Sequence, residues 1–209
     1  MQIQRLTPDD VEQYRALMLE AYERHPQAFT SSVKEREKLP LAWWAARLDG
    51  ELDLLLGAFS EGRLLGIVGL AFELREKARH KATLFGLYVT GTQRNSGLGY
   101  RLVQGLLAEA AEYEGLRLIQ LTVTAGNEAA LALYQRCGFV QFGLNPRQCG
   151  WARTISTRST CGANCRPKVD PGSLASRLLG KPAWGQRTAL TPSRVENEVS
   201  LAVSKKSRM

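Results

Sequence analysis

The stretch "LFGLYVTGTQRNSGLGYRLVQGLLAEA" (84–110) constrains the fold more than any other part of the chain. An apolar, β-type run enters a loop carrying Gly91, Gly97, Gly99 and Arg94, and the loop opens directly into an amphipathic helix. Gly97 and Gly99 let backbone N–H groups approach a ligand with no Cβ in the way. The helix that follows aims its positive end at the same place. Arg94 adds a full charge and a fork of donors. A phosphate or pyrophosphate is the natural guest.

Two common phosphate loops do not fit. A P-loop needs Gly-Lys-Ser/Thr, but Gly99 is followed by Tyr100 and Arg101. A dinucleotide fingerprint needs a third glycine three residues after Gly99, and position 102 is leucine. What remains is the local form Arg94-Asn95-Ser96-Gly97-Leu98-Gly99, whose meaning depends on its surroundings.

"QIQRL" reads as a first strand. Thr7, Pro8 and Asp10 then form a capping-box-like start for a helix running to about Arg24, with Val11, Tyr14, Leu17 and Met18 on one face. His25-Pro26 ends it. A second helix is expected over Pro40–Leu48. "LDLLLGAFS" and "RLLGIVGLAFEL" form a hairpin around "EGR", "KATLFGLYV" is a third strand of the run, and "LRLIQLTVTA" a fourth. "NEAALALYQRCG" is a helix with Asn127 at its N-cap and Gly138 as the left-handed C-cap, and "FVQFG" begins another strand. The order βααβββαβαβ predicts an α/β domain with a mixed sheet over residues 1–147.

Charge divides the chain at the same point. It holds 28 Lys+Arg and 20 Asp+Glu; residues 1–147 take 17 of each, leaving 11 basic and 3 acidic residues for 148–209. The net charge of +8 therefore belongs to the second part, where neither helical nor strand periodicity is visible and a disordered composition prevails. A charge confined this way argues against a nucleic-acid partner for the domain. No run of 18 apolar residues occurs, so no membrane partner is expected. The opening "MQIQRLTPDD" lacks a secretion signal, so a cytoplasmic location is expected. Cys161 and Cys165 are spaced within the range of zinc ligands, but no metal site is expected there.

The strand, the glycine loop and its helix, followed about 30 residues later by "NEAALALYQRCGFV", resemble the GNAT superfamily of acetyl-CoA-dependent N-acetyltransferases. The first segment is similar to motif A of that family and the second to motif B. The resemblance spans about residues 1–146. It implies a mixed, mostly antiparallel central sheet with flanking helices, acetyl-CoA as cosubstrate, and a small-molecule or peptide amine as acceptor. It implies that Arg94, Asn95, Ser96, Gly97, Leu98 and Gly99 hold the coenzyme A pyrophosphate. It also implies that Leu87, Tyr88 and Val89 offer backbone groups to the pantetheine arm. Asn127 matches a residue that helps hold that arm, although an ordinary helix N-cap explains it equally well.

Tyr134 matches the tyrosine that protonates the departing thiolate; a core aromatic beside Leu131 and Leu133 is the alternative, and the spacing of seven from Asn127 favours the functional reading. A base must also take the proton of the attacking ammonium. Some relatives carry a glutamate five residues before the asparagine, where this chain has Thr122. Glu73 and His80 remain as candidates, though both fit a solvated turn, and the base stays unassigned. Phe29, Trp43 and Trp44 are candidates for the acceptor wall. A homodimer is common among relatives. The alternative is a protein that keeps the acyl-CoA cradle with impaired catalysis.

The family ends on a strand beside the one starting at Phe139, and residues 148–209 offer no segment patterned like one. The expectation is a missing closing strand and a low-order basic tail. A frame shift near Gln148 would account for both. Read one frame over, the codons written as residues 149–165 permit "RVGADYFDEVHMWREL", which is similar to the family's closing hairpin.

Overall fold

A computed structural model describes residues 1–50, 53–145 and 152–158. The strands are β1 (Gln2–Arg5), β2 (Asp53–Ser60), β3 (Arg63–Phe72), β4 (Lys81–Val89), β5 (Leu118–Thr124), β6 (Val140–Asn145) and β7 (Ala152–Arg158). The helices are α1 (Val11–Arg24), α2 (Val33–Arg36), α3 (Leu41–Leu48), α4 (Leu98–Ala110) and α5 (Glu128–Arg136). The strands form one sheet in the order β1-β2-β3-β4-β5-β7-β6. Its β4–β5 pair is parallel and the other five are antiparallel. This is the mixed, mostly antiparallel sheet with flanking helices that the sequence implied.

Alternation along the strands feeds two cores. Leu54, Leu56, Ala58, Val68 and Leu70 point to the face covered by α4 and α5, and Leu55, Leu64 and Ile67 to the face covered by α1 and α3. Helix α1 buries Tyr14, Leu17, Met18, Ala21 and Tyr22, an i, i+3, i+4, i+7, i+8 stripe. Its entry follows the predicted cap: the Asp10 carboxylate accepts from the Thr7 N–H at 2.9 Å, and a 3₁₀ turn at Pro8–Asp10 leads into the helix. The β2–β3 turn places Glu61 at φ +51° and Gly62 at φ +74°, the left-handed pair that a tight hairpin favours.

Two expectations need correction. Helix α2 was not foreseen; Ser32 and Glu35 form a capping box for a single turn, too short to leave a periodic signal. The closing strand is present. Ala152–Arg158 lies between β5 and β6, pairing Leu118 with Arg158 and Val140 with Ser156. Sheet pairing is made by backbone groups, and "ARTISTR" holds three β-branched residues and no glycine or proline, so it serves as a strand without an apolar face. The remainder of the basic segment, including Cys161 and Cys165, lies outside the described residues.

Close packing between β3 and β4 depends on Gly69, where an added Cβ would overlap the Phe85 ring. Gly69→Ala is expected to destabilise the domain by about 1–3 kcal/mol. Gly105→Ala, in α4 with its nearest neighbour at 3.6 Å, should hold or raise stability by up to about 1 kcal/mol. Urea midpoints for the two variants test the pair.

Candidate active site

The sheet opens in its middle. β4 and β5 pair only at Lys81–Leu118, Ala82–Ile119 and Thr83–Gln120, although β4 continues six residues further, to Val89. Beyond Thr83 the two strands diverge and leave a wedge. A bulge in β4 accompanies the divergence. Ile67 faces Tyr88 while Gly69 faces Phe85, so β4 carries one extra residue there, and Gly86 takes φ +64°. The extra residue inverts the alternation. Ala82 and Leu84 face the α4 side, and so do Leu87 and Val89, while Tyr88 turns to the α1 side. There the Tyr88 hydroxyl donates to Glu20 Oε1 at 3.1 Å.

Backbone directions follow from one bond. The Thr90 N–H donates to the Leu65 carbonyl at 2.9 Å, so Thr90 and Tyr88 direct their backbone groups at β3. Leu87 and Val89 direct theirs into the wedge, where β5 no longer pairs with them. Of the three residues named for the pantetheine arm, Leu87 and Val89 lie on the wedge side of β4 and Tyr88 pairs with Ile67 of β3.

The wedge ends on the glycine loop. Asn95 and Gly97 sit at φ +61° and +76°, and the Ser96 hydroxyl donates to the Gln93 carbonyl at 2.7 Å, fixing the bend. The first ladder bond of α4 runs from the Arg101 N–H to the Gly97 carbonyl at 3.1 Å. The N–H groups of Leu98, Gly99 and Tyr100 therefore precede the ladder and point out of the helix end. A Cβ at Gly97 would meet nothing within 4 Å, whereas one at Gly99 would sit 3.0 Å from Leu133 Cδ1 on α5. Gly97 leaves room for a guest; Gly99 lets two helices touch. Arg94 is exposed, and its guanidinium lies against His25 Nε2 at the end of α1.

Asn127 is half-buried and caps α5, its Oδ1 accepting from the Ala130 N–H at 3.2 Å. Tyr134 is 7% exposed, packed edge-on to Phe139 with ring centroids 5.6 Å apart. Burial, reinforced by nearby Cys137, pushes its phenol well above the ordinary tyrosine range. The hydroxyl stays protonated at neutral pH. Among the described residues no group accepts a hydrogen bond from it.

The candidate bases are placed elsewhere. The Glu73 N–H bonds the Lys81 carbonyl, and the His80 carbonyl accepts from Arg117 and Leu118 N–H groups. Both residues sit at the paired end of β4, roughly 25 Å of strand from the loop. Thr122 is exposed on β5. Of the aromatic trio, Trp44 is 1% exposed and belongs to the core, and Trp43 stacks under Arg36 at 4.9 Å. Phe29 lines a cavity of about 300 Å³ with Tyr22, Pro26, Thr30, Ser31 and Val33. His25 was read from sequence only as a helix stop. No sequence signal joins it to Arg94, because the two are 69 positions apart.

A family model described as "Acetyltransferase (GNAT) family" matches residues 14–139. The chain belongs to the GNAT acetyltransferase family. An L-methionine sulfoximine/L-methionine sulfone acetyltransferase of Pseudomonas paraeruginosa is 31% identical over 107 residues, 51% of this chain and 61% of that protein. The [ribosomal protein bS18]-alanine N-acetyltransferase of Escherichia coli is 38% identical over 69 residues, 33% of this chain and 46% of that protein. The chain thus spans about half to three fifths of these relatives' lengths. In fold it is similar to an acetyltransferase structure from Salmonella typhimurium solved with its cofactor acetyl-CoA, at 21% identity and TM-score 0.63, covering 80% of this chain and 98% of that one. Among the described residues of this GNAT chain, no helix is long and apolar enough to cross a membrane.

Tyr14, Tyr22, Tyr88 and Tyr134 all have phenols pushed upward, in each case chiefly by burial. The folded state therefore holds these protons more tightly than the unfolded chain does. Their contribution to stability is complete below about pH 10, the unfolded tyrosine value, and is lost as pH rises beyond it. Each tyrosine kept protonated costs up to about 1.4 kcal/mol per pH unit above that point. Melting temperatures measured from pH 8 to 11 should fall steeply above pH 10, and less steeply for Tyr134→Phe.

Proposed function

We propose that the protein is an N-acetyltransferase that transfers the acetyl group of acetyl-CoA directly to a primary amine. The observation that carries this reading is the wedge between β4 and β5, which runs from free backbone groups at Leu87 and Val89 to the open N–H groups starting α4. An extended arm ending in a diphosphate has the length, polarity and charge for that path. Hydrogen bonds to backbone would hold the arm as an added strand, and the amides of Asn95, Ser96, Gly97, Leu98 and Gly99 would hold the diphosphate.

Acetyl-CoA would supply an acyl group on a thiolate leaving group. The residues do the rest. The amine attacks in its neutral form, forming the C–N bond as the C–S bond breaks. The buried, protonated Tyr134 hydroxyl donates a hydrogen bond to the departing sulfur, which lowers the barrier to its release. The remaining Asn127 donor, its Nδ2 group, faces no competing duty at the cap and is assigned to the arm. The ammonium proton leaves through water, because Glu73 and His80 lie at the other end of β4. The acceptor is a small molecule or a peptide N-terminus, and the named substrates of the two curated relatives support both classes. A cytoplasmic location suits a coenzyme of that compartment.

One observation favours a second reading. Thr122 stands where some relatives carry a glutamate, which fits an acyl-CoA-binding protein with impaired catalysis. Two substitutions probe the site, and turnover separates the readings. Tyr134→Phe should lower kcat by about 10²-fold and leave the Kd for acetyl-CoA within about twofold. Arg94→Ala should weaken coenzyme binding by about tenfold, the loss of one charge-assisted contact. Release of free thiol with a panel of amines reports turnover. Binding without turnover for every amine would favour the second reading, and unchanged kcat in Tyr134→Phe would remove that residue from the reaction.

A further inference from the structure

The groups around His25 suggest a role in coenzyme binding that the sequence did not reveal. This inference rests on the coenzyme lying at the Arg94–Gly99 loop. His25 ends α1 and is half-buried. The 3₁₀ turn that it opens, Pro26–Ala28, packs against β5, so this connection crosses the mouth of the wedge. Its ring lies 6.0 Å from the Tyr88 ring, and Arg94 reaches it from the phosphate-binding loop.

A guanidinium only donates hydrogen bonds. A hydrogen bond from Arg94 to His25 Nε2 therefore requires that nitrogen to be the unprotonated acceptor, and so a neutral ring. The charges around it agree. Arg94 approaches from the loop and Arg24 from α1; Glu20, also on α1, is shared between Arg24 at 3.0 Å and the Tyr88 hydroxyl on β4. Glu23 is on the same turn of α1 and lines the adjoining cavity. β5 carries no ionisable side chain. Burial first, then the two arginines, hold the imidazole below the ordinary histidine value.

We propose that His25 is a further coenzyme-binding residue, which gives up Arg94 to the incoming diphosphate and takes up a proton to face the same anion. The exchange balances. Arg94 turns its donors from a neutral nitrogen to an anionic oxygen, and the vacated Nε2 accepts one proton from solvent. The imidazolium and the guanidinium then both neutralise the diphosphate. Because the His25 connection also carries Pro26 and Phe29 of the neighbouring cavity, the coenzyme would order that wall. The sign is fixed. Binding raises the affinity of His25 for its proton, so the extra coenzyme affinity is complete at acidic pH and is lost as pH rises through the bound-state value of His25.

The test is calorimetric titration of the full chain with coenzyme A at pH 7, in two buffers of different ionisation enthalpy. Wild type should take up a measurable fraction of a proton, and its affinity should fall several-fold between pH 6 and pH 8. His25→Gln keeps an acceptor for Arg94 but cannot be protonated; it should bind, with the proton uptake reduced and a flatter pH profile. The coenzyme's own phosphomonoester titrates identically in both proteins and cancels in the difference. Binding with equal uptake in both proteins overturns the role of His25 while leaving the site in place. Absence of any binding overturns the site as well.

Should His25→Gln fail to fold, the two histidines of the chain, His25 and His80, can be followed by NMR in wild type. The His25 titration midpoint should rise when coenzyme A is added. An unmoved midpoint overturns the proposal.

Discussion

The parting of β4 from β5 is the constraint on which the rest of the molecule depends. Two parallel strands that pair for three residues and then separate leave backbone donors and acceptors open inside a sheet, where such groups are normally satisfied. The open stretch is tolerable because both cores continue past it. Leu87 and Val89 pack toward α4 and α5, and Tyr88 packs toward α1. The wedge is thus walled by packed side chains and floored by unsatisfied backbone, a surface suited to an extended polar guest. The bulge at Gly86 shapes this wall. Without its extra residue the alternation from Ala82 and Leu84 would carry Tyr88, rather than Leu87 and Val89, to the α4 face.

The two faces of the sheet divide the work. The α4 and α5 side supplies helix ends, glycines and a buried phenol, with an ion pair, Arg5–Glu109, on the exposed part of α4. The α1 side places charged groups beside the wedge: Glu20 and Arg24 next to Tyr88, and the Arg47–Asp53 pair at 3.0 Å beyond Phe85. Burial raises the Asp53 carboxyl and Arg47 pulls it back, so that pair is a structural tie. Charges near the loop act differently. Arg94, exposed and resting on the His25 ring, has no carboxylate partner among the described residues to surrender before it can meet an anion, which keeps the cost of recruiting it small.

Much of this was legible in the sequence because it rests on local rules. The glycine loop, the caps at Thr7 and Asn127, the hairpin at Glu61–Gly62 and the helical stripe of α1 each follow from neighbours a few positions apart. The features that escaped are long-range or carried by backbone. The contact of His25 with Arg94 joins positions far apart in the chain. The direction of Leu87 and Val89 into the wedge depends on a bulge that no residue pattern announces beyond a glycine inside a strand. β7 shows no apolar alternation, the pattern by which the other strands are legible. That strand owes its place to ladder bonds with β5 and β6, which ask only for an extended backbone.

Two of the residues proposed for coenzyme binding also carry structural duties, and their geometry leaves room for the proposed ones. Asn127 commits its Oδ1 to the Ala130 N–H, so its cap and its donor are different atoms of one amide. Gly99 lets α5 approach the first turn of α4, since a Cβ there would sit 3.0 Å from Leu133 Cδ1, while its amide stays among the open N–H groups of the helix end. That contact has a further consequence. Leu133 immediately precedes Tyr134, so the seating of α5 against the first turn of α4 sets how far the phenol stands from the open amides. A side chain at position 99 would crowd Leu133, which would have to give by a few tenths of an ångström against the first turn of α4. Under the proposed chemistry, Gly99 would thereby bear on the spacing between the open amides that start α4 and the Tyr134 phenol.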